Sequence, residues 1–309
     1  MKICVQTGDV IDLIGYEKGY KMIKKAGFGA IDWNLDHALP SSKIKKGEIK
    51  GCIFEKSLSE VKEHYAAELE EIRKNGLEIT QAHAPFPAYA RNIPGSLDSM
   101  IPLYIRCIEF CGDIGCKNLV IHGISYYLDD TVNTPESIDE LNRKLYTSLI
   151  PALKNSTVTV CLENIFSGHN GVNYQGNCSD AAKGAAFIDE MNALAGREAF
   201  GLCFDTGHAN LLHHDMRIII PAYGSRIKCL HIHDNNGSSD QHRAPLTGTI
   251  DWNLFLSALK EIGYKGDLSF ETFAQTNAAA KFDEDMILPW LELICKTGKK
   301  FREKLRKKG

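Results

Sequence analysis

Six short apolar runs in this 309-residue chain end in side chains that could do chemistry. QAHAPF carries His83, VIHG carries His122, and CLEN carries Glu163 and Asn164. FDTGH carries Asp205 and His208, HIHD carries His231 and His233, and SFET carries Glu271. A lone histidine at a strand end is ordinarily a hydrogen-bonded core residue, and a lone carboxylate there can cap the next helix. Six such ends brought together mean more. Buried carboxylates in one place repel unless protons or a cation neutralise them. A mixed set of carboxylate and imidazole donors suits a divalent metal. The stretch CLHIHDNNGSSDQHRAP adds Asp234, Asp240, His242 and Arg243 just beyond one of these ends. The two-residue period of a strand puts His231 and His233 on one face, about 6.6 Å apart in height. His231, nearer the strand body, is then the better ligand, with His233 and Asp234 expected at the rim.

For these ends to converge, the chain must hold them on parallel strands. One pattern recurs eight times: a short β-branched apolar run, then a longer amphipathic one. The runs read as strands are KICVQTG, FGAIDWN, LEITQAHAPF, KNLVIHGI, VTVCLENI, FGLCFDTGH, IKCLHIHD and DLSFETF. Between them, segments such as SLSEVKEHYAAELEEIRKNG carry apolar residues at three-to-four spacing and close on glycine, the signature of capped helices. Strand–helix alternation predicts a parallel sheet. Eight units fit a single-domain α/β fold, the (β/α)₈ TIM barrel, over 1–309, with a basic C-terminal helix over about 283–309. A doubly wound open sheet fits less well, because TGDVIDLIG after the first strand is not GxGxxG. Polar insertions follow strands two, five and seven, on the face where barrels place their chemistry.

Composition narrows the function classes. Net charge is -3, from 36 basic and 39 acidic residues, so no global basic excess points to nucleic acid. Ten cysteines lie scattered without CxxC pairs, several inside strand-like runs, which suggests buried thiols in a reducing cytoplasm. No apolar run approaches the about 18 residues of a membrane span, and MKICVQTG enters a strand pattern without a signal-like segment.

Together, LEN (Glu163), FDTGH (Asp205, His208), HxxD (His231, Asp234), the later DxH (Asp240, His242) and the final Glu271 resemble the xylose isomerase-like TIM-barrel superfamily. That superfamily includes sugar isomerases and epimerases and the family 2 AP endonucleases. The resemblance implies that Glu163, Asp205, His231 and Glu271 hold one divalent metal, Mn²⁺ first, with Mg²⁺, Co²⁺ and Zn²⁺ as alternatives. It implies that Glu163 and Glu271 are catalytic, exchanging a proton beside a metal-polarised carbonyl of a sugar or inosose; metal-assisted hydride shift is the competing mechanism. His83, His122, His208, Asp240, His242, Arg243, Asn34 and Trp33 are the expected substrate-binding residues, Trp33 being equally suited to packing. The ketose 3-epimerases resembled here have arginine six residues beyond the strand-seven histidine. This chain has Gly237 there, so Asp240, His242 and Arg243 are expected to take that role. Dimers or tetramers follow by analogy. Endonuclease IV is the rival, because nine of its metal positions fall on His83, His122, Glu163, Asp205, His208, His231, Asp240, His242 and Glu271. A non-catalytic barrel subunit is the third reading, disfavoured because all four core ligands are present.

Overall fold

Strands covered by helices must bury both faces, and the apolar runs do so: Ile3–Gln6 and Phe200–Asp205 have no exposed residue. The computed structural model describes residues 1–307. Its strands are β1 (Ile3–Gln6), β2 (Ala30–Asn34), β3 (Glu78–His83), β4 (Asn118–Val120), β5 (Thr159–Glu163), β6 (Phe166–His169), β7 (Val172–Gln175), β8 (Phe200–Asp205), β9 (Ile227–His231) and β10 (Leu268–Phe270). Eight of them form one parallel sheet in the order β10-β1-β2-β3-β4-β5-β8-β9. Beyond β9, Ile232 bridges to Phe270 of β10, donating its N–H to the Ser269 carbonyl at 2.8 Å and accepting from the Glu271 N–H at 3.1 Å. The two ends of the sheet thereby meet, and the fold is the expected TIM barrel.

Contacts cluster into two compact units. The first comprises Met1–Trp33, Ala67–Thr80 and Phe204–Gly309. Its core includes Tyr20, Tyr223, Phe255 and Phe270, with Trp252 stacked on Phe301 at 5.2 Å between ring centroids. The second comprises Asn34–Ala66 and Gln81–Cys203, and Phe54, Tyr65 and Phe110 form its aromatic cluster.

Local sequence explains where elements start and stop. Ser57 and Glu60 form a capping box at the helix Leu58–His64, and Asp180, Asp215 and Asp251 each cap a helix through the side chain. The polar insertion after β5 is more ordered than a loop. Asn170 (φ 51°) and Gly171 (φ 77°) make a tight left-handed turn that pairs β6 with β7 as a hairpin. The C-terminal helix spans Ile287–Arg306, starting later than about 283 because Glu284–Met286 forms a separate 3₁₀ turn capped by Asp283. Residues 308–309 of that expected helix lie outside the described residues. All ten cysteines are buried free thiols. Among the described residues, no helix is long and apolar enough to cross a membrane.

Candidate metal centre

β8 delivers Asp205 as the N-cap of the helix Thr206–Leu211. Its Oδ1 accepts the His208 N–H at 2.6 Å, and its Oδ2 lies 3.0 Å from Nε2 of His233. The helix-cap role that the sequence offers for such a carboxylate thus falls on Asp205. His233 is fastened at its backbone: Thr206 Oγ1 accepts its N–H at 3.0 Å and donates to its carbonyl at 2.7 Å. Gly207 is required beside it, because a Cβ there would collide with the His233 ring.

His233 and Asp234 are therefore not at the rim. Both are fully buried. The strand geometry continues past His231 through the Ile232 bridge, which carries the next residues inward. Asp234 accepts hydrogen bonds from the backbone N–H of Asn235, Leu246, Gly248 and Ile250 and from the Trp252 indole, at 3.0 to 3.2 Å. It ties the loop 235–250 into a closed turn. Gly248 leaves room for it, since a Cβ there would run into the Asp234 carboxylate.

β9 supplies His231, with Nε2 3.1 Å from Asp32 Oδ2 and Nδ1 3.4 Å from Glu271 Oε2. Glu271 follows β10. Asp205, His231 and Glu271 are all buried, and one donor atom from each lies within 4.8 Å of the others. Two carboxylates and an imidazole, buried and converging, fit a divalent cation.

Around this trio, the loop after β9 packs a stack of rings. His242 lies between His233 (4.1 Å, 12°) and Phe273 (4.6 Å, 11°). Its Nε2 is 3.0 Å from Asp240 Oδ2, and His208 Nε2 is 3.7 Å from the same oxygen. Burial opposes ionisation of Asp240, but His208 and His242 outweigh it and hold the carboxyl far below the usual range. Burial likewise opposes a charge on His242, yet Glu271, then Asp240, push its pKa up to about 9. Arg243 pairs its backbone with Asp234 and donates its guanidinium to the Thr247 carbonyl at 3.2 Å.

The second unit holds its own cluster. At the end of β3, His83 Nδ1 sits 2.9 Å from the Ala84 carbonyl, which can only accept, so Nδ1 donates and Nε2 faces the other way. That Nε2 lies 2.9 Å from His122 Nε2, which is 3.0 Å from Glu163 Oε2. Phe86 packs on both rings, 5.3 Å from His83 and 4.8 Å from His122. Donor atoms of His83, His122 and Glu163 also lie within 4.8 Å of one another. Asn34 accepts the Asp36 N–H at 3.1 Å.

The family model described as "Xylose isomerase-like TIM barrel" matches residues 21–292. The chain belongs to the xylose isomerase-like TIM-barrel family. Among relatives, it is 24% identical over 280 residues to an inosose isomerase of Bacillus velezensis, covering 88% of this chain and 89% of the other. Among solved structures, the fold resembles a D-allulose 3-epimerase from Methylomonas sp. in complex with D-allulose (TM-score 0.66, 18% identity, 98% of this chain and 96% of that one). It also resembles the IOLI protein with a bound zinc atom (TM-score 0.66, 20% identity, 99% and 98%).

Within this xylose isomerase-like barrel, Trp33 has the packing role that the sequence also allowed it. It is buried, and its indole N–H donates to Glu68 Oε1 at 3.0 Å, within reach of the helix Ala66–Lys74. Alternation along β2 is the reason: it turns Trp33 away from the side occupied by Asp32. Asp32 itself escapes a reading of strand ends, because it precedes the aromatic residue in FGAIDWN. The period-two pattern of that run was the available signal. His233, the partner of Asp205, lies deeper than the two-residue strand period alone implies.

Proposed function

We propose that this protein is a divalent-metal-dependent isomerase or epimerase acting on a sugar or sugar-derived ketone of the inosose type, moving a proton on a carbon beside a carbonyl. The observation that carries this reading is the buried Asp205–His231–Glu271 trio. Supporting it are the inosose isomerase among the relatives, the sugar bound to one structural neighbour and the zinc bound to another. The trio would hold the ion, Mn²⁺ first, and the family pattern adds Glu163 as the fourth ligand. When bound, a divalent ion supplies Lewis-acid polarisation of a carbonyl oxygen and stabilises charge developing on it. One of Glu163 and Glu271 removes the proton, and the other returns it to the opposite face or to the neighbouring carbon. His233 and the His208 N–H hold Asp205 in one orientation. Asp240 and His242 offer an acceptor and a donor to substrate hydroxyls, and His83, His122, His208, Asn34 and Arg243 complete the proposed substrate set. The buried free thiols support a reducing, cytoplasmic setting; self-association rests on the family resemblance alone.

Elemental analysis tests the ligand set. Native protein is expected to hold one equivalent of metal, and Glu271→Gln and His231→Ala to lose most of it. Full occupancy in a protein carrying both substitutions would sink the assignment. The His83–His122–Glu163 group favours a second reading, a polynuclear site for phosphodiester cleavage as in endonuclease IV. More than one tightly held metal, with incision of abasic DNA and no action on sugars, would establish it.

A further inference from the structure

We propose that Asp32 is the positioning residue of His231, fixing its ring with the proton on Nε2 and the lone pair on Nδ1. This inference rests on the metal-centre reading above. Asp32 lies on β2, fully buried, and its Oδ2 is 3.1 Å from His231 Nε2. A carboxylate oxygen at hydrogen-bond distance takes the ring hydrogen, so Nε2 donates to Asp32. Nδ1 is then the nitrogen turned away from Asp32. Nδ1 is the atom that lies 3.4 Å from Glu271 Oε2, on the side where the trio gathers. A cation held there would be met by His231 and Glu271 together.

Asp32 is itself fixed. Ser269 Oγ donates to the same Oδ2 at 3.3 Å, and the Thr7 N–H donates to the Asp32 carbonyl at 3.0 Å. The two ring nitrogens diverge, so Asp32 supports His231 from behind without competing for the ion. A carboxylate that holds a ligand histidine in this way sets its tautomer and raises its basicity, and losing such a partner typically weakens metal binding by about 10–100-fold.

The test uses metal-free native protein and Asp32→Asn. Long-range ¹H–¹⁵N spectra of the histidine rings report the His231 tautomer directly. The expected native signature is protonated Nε2 with unprotonated Nδ1. A native ring protonated on Nδ1 and not on Nε2 overturns the proposal without any variant being needed. Competition of Zn²⁺ between each protein and a chelator then gives the affinity. The expected change is a loss of about 10–100-fold in Asp32→Asn, whose shape matches aspartate, with rescue in Asp32→Glu toward the native value. Unchanged affinity in a folded Asp32→Asn overturns the role of Asp32 and leaves the metal centre standing. Native protein that binds neither Zn²⁺ nor Mn²⁺ overturns the metal centre instead, while the ring spectrum still decides what Asp32 does to His231.

Discussion

Replacing Asp234 with Asn should strike the loop that carries Asp240 and His242. The Asp234 carboxylate divides its work between two oxygens. Oδ1 accepts the N–H groups of Asn235 and Ile250, and Oδ2 accepts those of Leu246, Gly248 and the Trp252 indole. An asparagine must turn its NH₂ toward one of these sets, so at least two buried donors lose their acceptor. Each such loss costs about 1–3 kcal/mol, giving about 2–6 kcal/mol in total. That is a large share of the about 5–15 kcal/mol that stabilises a domain. Urea unfolding should show a lower midpoint at unchanged slope. Any active Asp234→Asn protein should also bind substrate less tightly, because the loop 235–250 is loosened. A loss within about 0.5 kcal/mol, the usual range for a surface change, would refute the view that Asp234 anchors this loop.

Other perturbations have equally definite outcomes. Gly207→Ala should lower metal affinity, since the added Cβ displaces His233 from Asp205; calorimetric titration with Mn²⁺ checks it, and native affinity would contradict it. Trp33→Phe should cost about 1 kcal/mol of stability by removing the bond to Glu68 and leave KM unchanged, whereas a raised KM would assign Trp33 to substrate binding. Adding Mn²⁺ to metal-free protein at a hundredfold over its dissociation constant should raise the unfolding free energy by about 2.7 kcal/mol, and no shift would mean that the folded state binds no ion.

Much of this barrel was legible in the sequence because its signals are local. Strand–helix alternation, glycine C-caps and the absence of a Gly-rich phosphate turn specify eight parallel units. The ligand candidates were legible because polar residues at the ends of buried strands demand partners. What escaped depends on contacts distant in sequence. His233 and Asp234 read as peripheral because the apolar run stops at HIHD, and the Ile232–Phe270 bridge beside them joins residues 38 positions apart. Asp32 meets His231 across 199 positions. Trp33 shows that a polar or aromatic residue at a strand end needs its strand phase settled before it is given a role. The hairpin after β5 was carried by a single Asn-Gly pair inside a polar tract, a strong turn signal that the length of the insertion masked.

Solvent deuterium uptake tests proton exchange at the substrate carbon most directly. Candidate ketoses and inososes are incubated with the metal-loaded protein in D₂O and followed by NMR. Deuterium is expected at one carbon adjacent to the carbonyl of an accepted substrate, dependent on the metal and abolished in Glu271→Gln. Turnover of a sugar without any deuterium entering it, at full metal loading, would contradict proton exchange between carboxylates and substrate.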